Sequence, residues 1–267
     1  MRGTVIKGII GGTAAAAGAY AAGRHLFRTE ANTKNMYGSL DYGLTALKSR
    51  YSVRQLDAGK FSDLKMNPLM KFHVDQYDIE GLGNLAVMTT KMKPMQMCSF
   101  VLTPCGVNVP LMSLDLIYIM GKRKFIVEFY DLVGDTETEE YRQVVSELSV
   151  LRDEFSDLAD EKPKKAESGE WLKSESSLIM HKEFPAAKDE RGAALVRRAL
   201  DIYLGAAEKA GRASDADRDA QQAATNAYVE RLLGDGGVST EMFIKSFGRE
   251  MTEDFYRKVF FACPNAG

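Results

Sequence analysis

The residue whose setting most needs a chemical explanation is Asp115, in the run Pro110-Leu-Met-Ser-Leu-Asp-Leu-Ile-Tyr-Ile-Met120. An acid in so apolar a strand loses solvation when it ionises, and this raises its pKa above the usual value of about 3.9. A carboxyl held partly protonated near neutral pH can hand a proton to a substrate. The plainer reading is an edge-strand Asp that points to water or caps a turn. His73 and Asp75 lie two apart in another strand-like run and therefore share a face. An imidazole beside a carboxylate suits a proton relay, against the plainer reading of a surface pair on a half-solvated strand.

Other chemistries find no support in the residue spacing. Met88, Met92, Met95 and Met97 form a dense thioether group, but no His lies within it and core packing is the better reading. His25 and His181 stand apart from any HxxxH or ExxH pair, so no metal motif is present. Gly81-Leu-Gly-Asn84 is a turn and not a phosphate loop opening a helix, and Ser99 and Ser113 lack a nucleophile-elbow context. Cys98, Cys105 and Cys263 include no CxxC pair, which excludes a disulfide framework or a four-thiolate cluster and favours the reducing cytosol. A formal net charge of −2 over 267 residues argues against a nucleic-acid partner. Lys122, Arg123 and Lys124 read as a solvated turn or a docking spot for an acidic partner.

The elements that would hold these residues follow from the patterning. Partial alternation from Phe72 to Ile79 predicts a strand, followed by candidates at Leu85–Thr90, Met95–Thr103, Leu111–Met120 and Phe125–Val133. Short turns between them predict an antiparallel meander. One helix is expected around Leu40–Tyr51 and another over Thr136–Leu158, where Tyr141, Val144, Leu148, Leu151 and Phe155 recur at helical spacing. Trp171 to Met180 is expected to return to the sheet as an edge strand. Helices are expected over Glu190–Ala210, Ser214–Leu233, Ser239–Phe247 and Thr252–Phe261, with Ser214 and Asp217 marking a boundary. The fold class is α+β: a central, mostly antiparallel sheet covered by helices, an α/β/α sandwich. Residues 1–28 form an Ala/Gly-rich segment, with Gly8 and Gly12 in a GxxxG pair, read as an anchor, a signal or a peripheral helix. Residues 29–267 are read as a single domain, with the sheet over about 70–180 and the C-terminal helices over 190–261.

Two stretches resemble the ferredoxin-dependent bilin reductases of the phycocyanobilin and phytochromobilin type. The first comprises Met97-Cys-Ser-Phe-Val-Leu-Thr-Pro104, Val109 to Asp115, and Phe125-Ile-Val-Glu-Phe-Tyr-Asp-Leu-Val133. It is similar to that family's strand, Pro-bearing loop, LP-x-x-x-x-D strand and following strand ending in DL. The second, Phe247-Gly-Arg-Glu-Met-Thr-Glu-Asp-Phe-Tyr-Arg-Lys-Val-Phe-Phe261, is similar to the family's ending. The resemblance implies that Asp115 is the central proton donor to a bound bilin, with His73 and Asp75 serving its pyrrole edge. It puts Ser99, as a substrate-contacting residue, where some members carry a second catalytic His, so the product need not be theirs. The family's C-terminal acid has no clean match beyond Asp235, and the propionate-binding candidates by region are Lys164, Lys165 and Arg197.

The resemblance further implies no tightly bound cofactor and no metal. Single electrons would come from reduced ferredoxin or flavodoxin, and protons from buried side chains. The leading expectation is therefore an oxidoreductase acting on an open-chain tetrapyrrole such as biliverdin, cytoplasmic, with membrane contact through residues 1–28 as a further possibility. Within the same fold, a protein similar to a chlorophyll-catabolite reductase is a variant of this reading. The alternative from another class is a non-catalytic tetrapyrrole- or lipid-binding protein.

Overall fold

The computed structural model describes residues 28–161, 176–236 and 238–263. The N-terminal Ala/Gly-rich segment and the two candidate lysines Lys164 and Lys165 lie outside them. Among the described residues, no helix is long and apolar enough to cross a membrane.

Eight strands form one sheet: β1 (Val53–Leu56), β2 (Asp63–Lys65), β3 (Lys71–Ile79), β4 (Gly83–Met92), β5 (Met95–Pro104), β6 (Leu111–Ile119), β7 (Lys122–Tyr130) and β8 (Ser176–Pro185). The order is β1-β3-β4-β5-β6-β7-β8, with β2 also paired to β3, and every pairing is antiparallel. β3 to β7 follow the expected meander, and β8 returns to the sheet beside β7. The short strands β1 and β2 were not expected. They lie end to end along β3, opposite Gln76–Ile79 and Lys71–His73 respectively, and are too short and polar to show an alternation.

Helices cover both faces of the sheet. On one face, α1 (Thr29–Lys48), α2 (Glu139–Glu154) and α3 (Asp189–Ala210) contribute Met36, Leu40, Val144, Leu148, Leu195 and Tyr203 to a core with Val87, Phe100, Leu114 and Val127. On the other face, α4 (Asp215–Asp235), α5 (Val238–Phe247), α6 (Arg249–Phe255) and a π turn at Tyr256–Phe260 bury Tyr228, Phe243, Phe255 and Val259 against Val74, Met88 and Val101. Double coverage explains why the middle of β4 is buried without a break instead of alternating. Ser214 with Asp217 forms the expected capping box on α4, whereas α2 starts later than the expected Thr136, at Glu139, because Thr138 caps it by accepting from the Tyr141 N–H.

The C-terminal layer is tied to the sheet by polar contacts. The π turn leaves backbone carbonyls outside the α-helical pattern. Buried Asn84 donates to the Val259 carbonyl at 2.8 Å, Gln76 donates to the Lys258 carbonyl at 3.0 Å and to Asn84 Oδ1 at 2.8 Å, and Thr103 donates to the Phe260 carbonyl at 3.3 Å. Just beyond, Cys263 forms a disulfide with Cys105 across a sequence separation of 158. This bond corrects the sequence-based reading, which took the absence of a CxxC pair as evidence against disulfide bonding, because chain topology alone brings the two together; Cys98 is a free, buried thiol.

The expected basic turn is corrected. The turn falls at Met120 and Gly121, with Met120 at φ 52°, and Lys122–Lys124 already belong to β7. Arg123 is buried at 1% exposure, bridging bidentately to Asp189 at 2.5 and 2.8 Å with its guanidinium over the Tyr118 ring. Lys124 pairs with Glu161 at 2.6 Å. Strand alternation sends Arg123 to the face opposite Lys122 and Lys124, so the three make no single basic turn.

Candidate active site

Because cross-strand partners share a face, the register defines one row over the face under the C-terminal helices: Val74, Met88, Ser99, Asp115, Ile126 and His181. The adjacent row on the same face includes Gln76, Ala86, Val101, Ser113, Glu128 and Ile179. Asp115 thus sits near the centre of the sheet, half-buried, and buried Ser99 donates a hydrogen bond to its Oδ1. Burial is the main force on this carboxyl and lifts its pKa from 3.8 to about 6. The Ser99 hydrogen bond opposes the rise, the Glu128 charge adds to it, and the His181 and Lys124 charges counter it. At pH 7 a pKa of about 6 leaves roughly one carboxyl in ten protonated, against about one in a thousand for an ordinary Asp.

The neighbours of Asp115 form a connected set. His181 Nε2 lies 2.7 Å from Glu128 Oε1, and Tyr130 donates to Glu128 Oε2 at 2.7 Å. The Glu128 hydrogen bond raises the His181 pKa against the opposing effect of burial. From the helical layer, buried Tyr256 feels the Asp115 charge, though burial is the main reason its phenol is pushed up to about 12, and its hydroxyl lies 2.9 Å from that of Thr240. The site therefore offers a desolvated acid at its centre, a hydroxyl that orients it, and an imidazole–carboxylate pair at one side. No group of three or more His, Cys, Asp or Glu among the described residues is placed to hold a metal ion. A cavity of about 570 Å³ opens elsewhere, lined by Arg54, Asp78, Arg212 and Arg218, and includes none of these residues.

Two sequence-based assignments are corrected. His73 and Asp75 do share a face and approach to 3.5 Å, but it is the face opposite Asp115. There, His73 Nδ1 lies 3.2 Å from Asp63 and Asp75 accepts from Gln55 at 2.9 Å. In β3 it is Val74 and Gln76 that point toward the C-terminal helices, because an alternating run can be read in either phase when both faces are covered. Arg197 is exposed on α3, which packs on that same opposite face, and Asp235 is exposed and pairs with Arg231 at 3.3 Å. Conversely, Glu128 was passed over although it sits within Phe125-Ile-Val-Glu-Phe-Tyr130, as anomalous an acid as Asp115. His181 had no local signal, since only the β7–β8 register brings it to Glu128.

Comparison with known proteins adds to this geometry. No curated protein matches the chain. Thirty-one chains of solved structures do match. One is the crystal structure of phytochromobilin synthase from tomato in complex with biliverdin, with a TM-score of 0.66 and 11% sequence identity, covering 83% of this chain and 81% of that one. At that identity the likeness concerns the fold. The family model described as ferredoxin-dependent bilin reductase matches residues 70–262, which includes β3 to β8 and all the C-terminal helices. With well over half of its length matched, the chain belongs to the ferredoxin-dependent bilin reductase family.

Proposed function

We propose that this chain reduces an open-chain tetrapyrrole of the biliverdin class, bound between the sheet and the C-terminal helices, with Asp115 as proton donor. Electrons come one at a time from reduced ferredoxin or a comparable small donor. The observation that carries the reading is the half-buried Asp115 at the centre of the sheet face, whose pKa of about 6 lets it both hold and release a proton near neutral pH. Family membership supports the reaction class, and the tomato relative with its bound biliverdin supports the substrate class. Ser99 orients the acid by its hydrogen bond and contacts the substrate from the same row. A serine hydroxyl does not ionise near neutrality, so it holds the carboxyl without replacing an imidazole as an acid.

The test is anaerobic turnover of biliverdin with a ferredoxin-reducing system, comparing wild type with Asp115→Asn. The amide keeps the acceptor oxygen for Ser99 but cannot give up a proton. Loss of the donor is expected to slow reduction by about 10²–10⁴-fold while biliverdin still binds. Wild-type turnover matched by the variant would remove Asp115 from the reaction.

A further inference from the structure

Reducing one double bond of a bilin takes up two electrons and two protons. On the reading above, which this inference deepens, Asp115 delivers one proton and Ser99 delivers none. The second needs its own donor on the same sheet face.

His181 is on that face, in the same cross-strand row as Asp115 and separated from it by Ile126 alone. With strands about 4.8 Å apart, the two positions are about 10 Å from each other, a gap that a molecule of four linked pyrroles bridges. Its Nε2 is fixed at 2.7 Å from Glu128, whose other oxygen accepts from Tyr130 at 2.7 Å. The imidazole side chain is 36% exposed and the Glu128 carboxylate 14%, so His181 stands where water can reprotonate it. The charged groups around it are Glu128 and Lys124 on β7, Glu161 just after α2, and Asp115 on β6; the acids outnumber the lysine and favour the imidazolium.

We propose that His181, held by Glu128, is the second proton donor to the bilin. Each of two one-electron transfers from the iron–sulfur donor is followed by one protonation. The Asp115 O–H supplies one proton and the imidazolium Nδ1–H of His181 the other, so one C=C bond of the substrate becomes a CH–CH bond. Neutral His181 keeps its remaining proton on Nε2, toward the Glu128 carboxylate, and both donors recover their protons from water. Glu128 is a positioning residue that fixes the ring and its tautomer. Its removal takes away the anion that favours the protonated form of both His181 and Asp115, which shifts the alkaline limb of the rate profile to lower pH.

The experiment uses the full chain as wild type, His181→Gln and Glu128→Gln. Each is loaded with biliverdin and reduced anaerobically by ferredoxin, and followed by absorbance, by electron paramagnetic resonance and by product mass. His181→Gln is expected to bind biliverdin with the wild-type spectrum, accept the first electron, and accumulate a radical while full reduction slows by about 10²-fold or more. Added imidazole is expected to restore part of that rate. Glu128→Gln is expected to complete the reaction with its alkaline limb moved down in pH.

The proposal is overturned if His181→Gln completes the two-electron reduction at the wild-type rate with an unchanged pH profile. Should His181→Gln not bind biliverdin, Glu128→Gln decides, and an unmoved alkaline limb overturns the proposal. A wild type that binds biliverdin without reducing it removes the underlying bilin-reductase reading, and the proposal with it; an active wild type beside an unaffected His181→Gln removes only the second donor.

Discussion

Replacing Asp115 by Asn tests its desolvation through stability, independently of any substrate. Folding raises the carboxyl pKa from 3.8 to about 6. The folded state therefore binds more protons than the unfolded state between these values, and stability falls as pH rises through this window. The cost is absent below about pH 3.8 and complete above about pH 6. At about 1.4 kcal/mol per pKa unit it reaches about 3 kcal/mol at pH 8, of which about half is already present at pH 5. The substituted amide would carry no charge and would still accept from Ser99. The variant is therefore expected to gain on the wild type as pH rises, by about 1.5 kcal/mol between pH 5 and pH 8. Other groups titrate in both proteins and drop out of the comparison. Urea denaturation of the two proteins at both pH values measures it. A difference that does not change between pH 5 and pH 8 would mean that the Asp115 carboxylate is solvated, and the premise of a poised acid would fall.

Three further expectations concern how the site is held. Asn84→Ala removes the 2.8 Å donor to the Val259 carbonyl, leaving it only the 3.5 Å contact from Gln76, and should cost about 1–3 kcal/mol, with faster amide exchange in the C-terminal turn as the local sign. Cys105→Ser opens a covalent tie spanning 158 residues and should lower stability by about 2–5 kcal/mol; a reducing agent should bring the wild type down to the same denaturation midpoint and leave the variant unmoved. Gly83 sits at φ +149°, and a Cβ there would lie 2.1 Å from the Thr103 carbonyl oxygen, so Gly83→Ala should cost more than about 2 kcal/mol, read as a lowered thermal midpoint.

Much of the fold was legible in the sequence because β3 to β7 are long enough to show apolar runs bounded by turns, and because Ser214 with Asp217 marks a helix start chemically. Asp115 was legible for the same reason: one charge in an apolar strand asks for an explanation. What remained hidden depends on long-range partners. The phase of β3 is set by which helices cover which face, so His73 and Asp75 were assigned to the wrong side while Gln76 reaches the C-terminal turn. Arg123 looked like a surface cation because its partner Asp189 is 66 residues away. His181 and the Cys105–Cys263 bond likewise needed the register and topology of the whole sheet. Glu128 is different in kind, since the reasoning that found Asp115 applies to it unchanged.

Reduction of a bilin on this sheet face is the activity proposed for the chain. Its most direct test is to mix the purified chain with biliverdin, add a ferredoxin-reducing system without oxygen, and record absorbance and product mass over time. The absorbance band is expected to shift on mixing, then to move progressively as electrons are supplied, with a product heavier by two hydrogens. A spectrum that changes on mixing and then stays fixed with electrons present would contradict it, leaving a protein that binds a tetrapyrrole without reducing it.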